Sequence, residues 1–320
     1  MSGKRLMEVN LNSYSTWGAL LQQGDFDRLH VPEGETPQIY FICRRPKITF
    51  DPTSVKKQDS NYELDLVFSR ENDTYTQRIQ FPQKAQGLEF DFDTQPPFTH
   101  FNAVDKSGKT ISGSAAVLAA LAKTVPVQYL DLEILYIGQS VSNSPDYNII
   151  ERLRNHSTLQ AIYAEAIRHS PNHDIWIALF HFEYQEMYMF NSPNIIDGKI
   201  VFEPGIEPDT DMDEEMNRME QISNSANLNQ QYINFTEAAL IRYFEPDYNQ
   251  KFRKNFPNPA HSSYASCYEL DVHSVSVGLA TDAINARIYT DKVEPVQIHG
   301  INFVLHNSEE RKNLFNLLAS

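Results

Sequence analysis

The sequence predicts an α+β fold in which a central α/β unit lies between β-rich N- and C-terminal segments. Strand-like runs separated by polar turns fill most of residues 39–101. Residues 126–258 combine strand-like runs with stretches typical of helices, and after Pro259 strand-like runs return. The simplest architecture is a β-domain assembled from both termini with the α/β unit inserted, although two separate β-modules fit nearly as well.

These changes of character set the predicted boundaries. Residues 1–125 form a β-rich N-terminal region, residues 126–260 form the central unit, and residues 261–320 form a β-rich C-terminal region. The C-terminal region is a candidate to pack against the N-terminal region. An acidic insertion without useful periodicity interrupts the central unit at about 191–229.

The individual elements follow in chain order. Alternation at 62–68 indicates a sheet with one solvent-exposed face. Strands are predicted at 39–43, 62–68, 78–81, 132–137, 174–184, 268–279, 287–289 and 296–305. Helices are predicted at 115–123, after Pro145, at 157–169 from the capping-box pair Ser157 and Gln160, at 234–244 and from Glu309 onward. Turns are predicted at 105–109 and 140–146.

Composition excludes several classes of protein. Hydrophobic residues make up 41%, aromatic residues 12% and charged residues 22%, which is typical of a soluble globular protein. No apolar run approaches the roughly 20 residues of a membrane helix, and no apolar segment follows the basic start to suggest a secretory signal. Because only two cysteines occur, two buried thiols are favoured over a disulfide. A cytoplasmic protein is expected.

The formal charge of −15 argues against extended contact with phosphates. Much of that negative charge is local, however, within residues 203–220. Basic residues cluster at 44–47, 56–57 and 251–254, and these clusters are candidates for a local phosphate track. Net charge therefore does not decide the question of a nucleic-acid partner.

Three segments carry the most informative pattern in the chain. Tyr136-Ile-Gly ends an apolar strand, Arg152 is followed four residues later by His156, and Glu237 precedes Asn249 beyond the helix-ending Pro246. This ordered set resembles the GIY-YIG nuclease family. The resemblance implies a small antiparallel sheet flanked by helices and a single site that hydrolyses phosphodiester bonds.

The resemblance also implies a role for each residue. Tyr136 would orient or help deprotonate the attacking water, and Arg152 would bind the scissile phosphate. Glu237 would hold one divalent ion, Mg²⁺ or Mn²⁺. His156, on the same side of a helix as Arg152, would relay a proton, and Asn249 would close the site. The substrate would be nucleic acid, DNA in preference to RNA.

Further basic residues near these motifs are predicted to contact the nucleic acid. They are Arg154, Lys251, Arg253 and Lys254. The β-rich flanks are candidates to bind a protein partner, and no membrane partner is expected.

The chain departs from the family pattern because no Gly-Ile-Tyr precedes Tyr136 at the usual distance. Tyr129 is the nearest upstream tyrosine, and it is closer than the pattern requires. Glu237 also has capping-box spacing from Asn234. A catalytically inactive nucleic-acid or protein-binding module is therefore the alternative. A second tyrosine hydroxyl beside Tyr136, Arg152 and Glu237 would favour the enzyme, whereas an empty place would favour the binding module.

Overall fold

In the described part of the chain, β-strands outnumber helices and carry most of the fold. The computed structural model describes residues 5–58, 61–69, 73–82, 84–85, 88–89, 91–104, 108, 110–140, 149–190, 194–196, 199–201 and 210–306. The strands are β1 (Met7–Leu21), β2 (Ile39–Phe50), β3 (Lys56–Gln58), β4 (Asn61–Ser69), β5 (Thr74–Pro82), β6 (Lys84–Ala85), β7 (Leu88–Glu89), β8 (Asp91–Thr94), β9 (His100–Val104), β10 (Thr110–Ser114), β11 (Leu132–Gln139), β12 (His173–Phe190), β13 (Asn194–Ile196), β14 (Lys199–Val201), β15 (Ser274–Ala280), β16 (Ile288–Thr290), β17 (Val293–Val296) and β18 (Ile298–Val304).

The helices are fewer and mostly short. The α-helices are α1 (Ala115–Leu121), α2 (Ile149–Arg154), α3 (Ser157–His169), α4 (Met212–Ser223), α5 (Ala226–Phe244) and α6 (Ala265–Glu269). Short 3₁₀ helices lie at Gln23–Arg28, Val127–Tyr129, Ser262–Tyr264 and Asp282–Ile284. No helix in the described ranges is both long and apolar enough to cross a lipid bilayer.

Eleven of the described strands form one mixed sheet. Its main path has the order β17-β16-β11-β2-β12-β1-β15-β18. The far end of β2 pairs with β4, and β4 also pairs with β3 and β5. The β1–β15 and β11–β16 pairs are parallel, and the other pairs in this sheet are antiparallel.

This topology shows that the predicted fold class is wrong. Strands β11 and β12, which were assigned to an inserted central unit, both pair with β2 from the N-terminal region. Strands β15 and β16 from the C-terminal region pair with β1 and β11. Because backbone hydrogen bonds join all three segments in one mixed sheet, the fold is mostly β, and the described residues contain no separate α/β unit inserted between β-rich flanks.

Strand β2 lies near the centre of the sheet, and both of its faces are buried. Ile39, Phe41 and Cys43 belong to one hydrophobic cluster, and Tyr40 and Ile42 belong to the other. Helices α1 and α5 cover the first face, and α2, α3 and the first 3₁₀ helix cover the second. Burying each large apolar side chain contributes about 1.5–3 kcal/mol, so these two layers fix β2 firmly.

Several local predictions are confirmed. In β4, residues 62, 64, 66 and 68 are buried and alternate with half-exposed neighbours, as the period of two predicted. Strand β11, strand β12 and helix α1 lie where the sequence indicated. Helix α3 does begin at Ser157, but its N-cap is His156.

Other local predictions are wrong. Helix α4 occupies part of the expected acidic insertion, and Asp211 caps it by accepting a 2.9 Å hydrogen bond from the Glu214 backbone N–H. Helix α5 begins eight residues before the predicted start at Asn234. Part of the predicted strand at 268–279 is instead helix α6. Most of the turns at 105–109 and 140–146, much of 191–209 and the helix from Glu309 lie outside the described residues.

Candidate active site

Two tyrosines from neighbouring strands lie side by side on the face of the sheet covered by α2 and α3. Tyr40 of β2 is paired with Gly138 of β11, and Tyr136 lies two residues earlier on the same face of β11. The two ring centroids are 6.1 Å apart. Tyr40 was not predicted, and it occupies the place beside Tyr136 that the sequence left without a residue.

Gly138 makes this arrangement possible because it has no side chain. A Cβ atom at residue 138 would lie 2.6 Å from the Tyr40 hydroxyl oxygen and 2.8 Å from Tyr136 Cε1. Both distances are well below van der Waals contact. The Tyr-Ile-Gly motif therefore has a direct steric explanation here, since the glycine provides the space into which the Tyr40 ring fits.

Tyr129, the upstream tyrosine considered from sequence, lies elsewhere. Its ring stacks on Tyr75 at a centroid distance of 4.2 Å and an interplanar angle of 7°, and it also contacts Phe68 at 5.2 Å. The sequence contained one signal for Tyr40, because Ile39-Tyr40 begins a predicted strand. The many residues between Tyr40 and Tyr136 concealed their pairing.

A β-bulge at Leu135 helps to aim Tyr136. The pairing with β2 shifts between Ile134 and Tyr136, so Leu135 and Tyr136 both face the cluster that contains Tyr40. The carbonyl of Leu135 accepts a 3.1 Å hydrogen bond from the backbone N–H of Tyr248, in the loop after α5. Bulges of this kind often redirect a side chain at a functional site.

Asn249 stabilises the strand that carries Tyr136. Its Oδ1 accepts from the Ile137 N–H at 2.9 Å, and its Nδ2 donates to the Ile137 carbonyl at 2.8 Å. The side chain is buried, and β16 pairs with β11 only at Leu132 and Glu133. Asn249 thus makes the hydrogen bonds that a neighbouring strand would make at this edge of β11. Both polar atoms of its side-chain amide are used in these bonds to the backbone.

His156 contacts both tyrosines from the start of α3. Its Nε2 lies 2.9 Å from the Tyr40 hydroxyl, and its ring centroid lies 5.6 Å from that of Tyr136. We call Tyr40, Tyr136 and His156 the tyrosine cluster. Burial and the positive charge of Arg152 lower the pKa of His156. The expectation that Arg152 and His156 share one helix is wrong, because α2 ends at Arg154.

Arg152 is exposed on α2 and acts electrostatically on the whole site. Burial raises the pKa values of Tyr40, Tyr136 and Glu237, and the positive charge of Arg152 opposes each of these shifts. A single guanidinium is thus close enough to influence the three acidic groups and His156. This position suits a side chain that binds an anion in front of the tyrosine cluster.

Glu237 approaches the end of β11 from the middle of α5. Its Oε1 accepts a 3.1 Å hydrogen bond from the Gln139 backbone N–H. The capping-box interpretation is wrong, since Ser225 caps α5 and the Asn234 amide donates to the Ser263 carbonyl at 3.0 Å. Glu237 is therefore several turns away from the helix N-terminus.

Burial raises the pKa of Glu237 to about 7, although Gln139, Lys251 and Arg152 oppose the shift. Desolvation disfavours the ionised carboxylate, and a bound cation would favour it again. Among the described residues no three His, Cys, Asp or Glu side chains group as a metal site. A single carboxylate is compatible with Mg²⁺, because this ion commonly keeps several waters and takes one or two carboxylates plus substrate phosphate.

The predicted nucleic-acid contacts fall into different environments. Lys251 acts electrostatically on Glu237, and its Nζ lies 4.6 Å from the centroid of the Phe252 ring. Arg154 pairs with Asp27 at 2.7 Å, and Arg253 pairs with Asp247 at 3.2 Å. Lys254 is exposed. Of these four residues, Lys251 has the clearest relation to the site.

The basic cluster at 44–47 does not form the phosphate track that we considered. Arg44 makes a two-pronged ion pair with Glu133 at 2.8 and 2.9 Å. Arg45 is buried, with its guanidinium 4.0 Å from the centre of the Trp176 ring. The Arg44 guanidinium is thus engaged by a carboxylate and that of Arg45 is buried, so neither is suited to bind phosphate.

Comparison with known proteins gives little guidance. No protein-family model matches the chain, and no curated protein matches it. Among solved structures, a toad ovary galectin in complex with thio-digalactose is 9% identical and covers 55% of this chain and 100% of its own. Its TM-score of 0.10 is too low to support any inference about fold or function.

Proposed function

We propose that this protein is a divalent-cation-dependent endonuclease that hydrolyses phosphodiester bonds, most readily in DNA. The observation that carries the proposal is the hydroxyl of Tyr40 beside Tyr136, with the charges of Arg152 and Glu237 acting on both. A second tyrosine hydroxyl beside Tyr136 is expected of an enzyme and not of an inactive binding module.

Each side chain has a role that its surroundings support. Arg152 is exposed and positively charged, so it would bind the scissile phosphate and offset its charge. The Tyr136 hydroxyl, held by the bulge and by Gly138, would orient the attacking water against that phosphate. Tyr40 and His156 would hold Tyr136 in place, and Asn249 would hold the strand.

Glu237 would hold Mg²⁺ or Mn²⁺ through Oε2 while Oε1 stays on the Gln139 N–H. The bound ion would supply charge stabilisation for the phosphate and would favour an ionised water. Lys251 would add positive charge for the strand that approaches Glu237.

We also propose that the protein is cytoplasmic. Both cysteines are buried free thiols, which suits the reducing cytoplasm where nucleic acid is accessible. A protein partner for the β-rich regions stays a prediction.

Cleavage assays test the proposal. Purified protein is incubated with supercoiled plasmid, single-stranded DNA and structured RNA in Mg²⁺, Mn²⁺ or EDTA. We expect cleavage that requires the cation and that falls by orders of magnitude in Tyr40→Phe, Tyr136→Phe and Arg152→Ala. Tyr129→Phe is the matched control, because that hydroxyl lies away from the site, and it should cleave like wild type.

Two results would contradict the proposal. Equal cleavage by wild type and the folded Arg152→Ala protein would show that the activity comes from a contaminant. No cleavage of any substrate, together with cation-independent binding of DNA, would instead support the inactive binding module.

A further inference from the structure

His156 has a second hydrogen bond that determines how its ring can act. It is the N-cap of α3, and its Nδ1 accepts a 3.3 Å hydrogen bond from the Leu159 backbone N–H. N-cap side chains satisfy backbone donors that the first helical turn leaves free. An atom that accepts from an N–H cannot itself carry a proton there, so Nδ1 is unprotonated.

The state of Nδ1 fixes the state of Nε2. In a neutral imidazole one nitrogen carries the proton and the other accepts. Since Nδ1 accepts from Leu159, the proton resides on Nε2, which lies 2.9 Å from the Tyr40 hydroxyl. Nε2 is therefore the donor in this pair, and the Tyr40 oxygen accepts.

The surroundings also oppose a second proton on the ring. The groups that face His156 are Tyr40, Tyr136 and the positively charged Arg152. The N-terminus of α3 adds a partial positive charge at Nδ1. A histidine at a helix N-terminus is kept neutral in this way, and a neutral ring serves as a hydrogen-bond donor.

We propose that His156 is a positioning residue locked as a neutral Nε2–H donor to Tyr40, and that it does not relay protons. To take a proton from Tyr40, Nε2 would first have to lose its own, and that requires breaking the cap on Leu159. The kinetic part of this proposal rests on the proposed nuclease function. The ring state can be measured whether or not the protein cleaves nucleic acid.

Nuclear magnetic resonance measures the ring state directly. Long-range ¹H–¹⁵N correlation of protein labelled at its ten histidines separates protonated from unprotonated ring nitrogens, and the His156→Asn spectrum assigns the signal. We expect Nε2–H with bare Nδ1 from roughly pH 6 to pH 8, the range in which an ordinary histidine changes charge. The opposite tautomer, or an imidazolium at pH 7, would overturn the proposal.

Two variants separate the cap from the donor. His156→Asn keeps an oxygen that can cap α3 but removes the Nε2–H, whereas His156→Ala removes both. Because only the Ala variant loses the cap, we expect it to melt about 2 °C or more below the Asn variant. Cleavage should fall in both variants by about tenfold or more. Wild-type cleavage by the Asn variant would leave His156 with only a structural role.

A double variant tests whether His156 acts through Tyr40. Because the donor's effect is transmitted by the Tyr40 oxygen, His156→Asn added to Tyr40→Phe should slow cleavage no further. A further loss as large as that of His156→Asn alone would show direct action on the substrate and would refute the positioning role. If wild type cleaves nothing, the proposed function fails, and the resonance measurement still decides the ring state.

Discussion

Replacing Gly138 with alanine adds one methyl group at the closest approach of the two tyrosines. The new Cβ would lie 2.6 Å from the Tyr40 hydroxyl oxygen, 2.7 Å from Tyr40 Cζ and 2.8 Å from Tyr136 Cε1. Ordinary contact begins near 3.4 Å, so the Tyr40 hydroxyl must move by roughly 0.8 Å. Tyr40 is 1% exposed and hydrogen-bonded to His156, so little space exists for that movement.

Two magnitudes follow from this displacement. Overpacking a buried site costs about 1–3 kcal/mol, offset in part by the roughly 0.5–1 kcal/mol that alanine gains over glycine in a strand. Misplacing a positioned group by about 1 Å can reduce a rate about 100-fold. We therefore expect a small decrease in melting temperature and a much larger decrease in cleavage of supercoiled DNA.

Gly278→Ala is the matched control in the same sheet. A Cβ there would meet only the Tyr14 Cβ, at an ordinary 3.5 Å. The control should melt and cleave like wild type. Should Gly138→Ala also retain wild-type melting and cleavage, the two tyrosines would not depend on the space beside residue 138, and our explanation of the motif would be refuted.

Three further perturbations address the residues around the tyrosine cluster. Glu237→Gln should abolish cleavage. Burial raises the pKa of this carboxyl from its ordinary 4.5 to about 7, so the wild-type protein loses stability as the pH rises from about 4.5 to about 7. Without cation the variant should therefore melt higher than wild type at pH 8 and equally at pH 4, and equal melting at both would refute the burial argument. Asn249→Ala leaves the Ile137 N–H and carbonyl unpaired, which should lower the free energy of unfolding in urea by about 2–4 kcal/mol. A loss below about 0.5 kcal/mol would contradict the role of Asn249 in stabilising β11. Arg152→Ala should weaken DNA binding at low salt without changing the melting temperature. The control is Arg154→Ala, which should leave DNA binding nearly unchanged because Arg154 pairs with Asp27.

Local patterns in the sequence were sufficient to predict many elements but not their assembly. The apolar run of β11 and the period of two in β4 depend on neighbouring residues, and both predictions were confirmed. Strand β1 was missed, although apolar Met7, Val9 and Leu11 alternate with polar Glu8 and Asn10 as in a strand with one exposed face. In the structure Glu8 and Asn10 are buried as well, which this alternation does not indicate.

Long-range pairing explains why the residues of the candidate site could be predicted only in part. Tyr136, Arg152, His156 and Glu237 could be proposed from the sequence because each lies in a recognisable local motif. Tyr40 was missed because its neighbour Gly138 is distant in sequence, and no local pattern reports which strands pair. The early start of α5 was missed for a different reason, since its first turns are rich in Asn and Gln.

Because β2 lies near the centre of the sheet, the candidate site depends on the integrity of the whole sheet. Since β11 and β12 both use β2 as a neighbour, a fragment covering residues 126–260 would lack Tyr40 and the strand between its own two longest strands. Such a fragment has unpaired backbone on both strands and cannot be exchanged between proteins as a self-contained module. Amide hydrogens of residues 39–43 should exchange with solvent only when the whole sheet opens, so the site and the fold are lost in the same cooperative event.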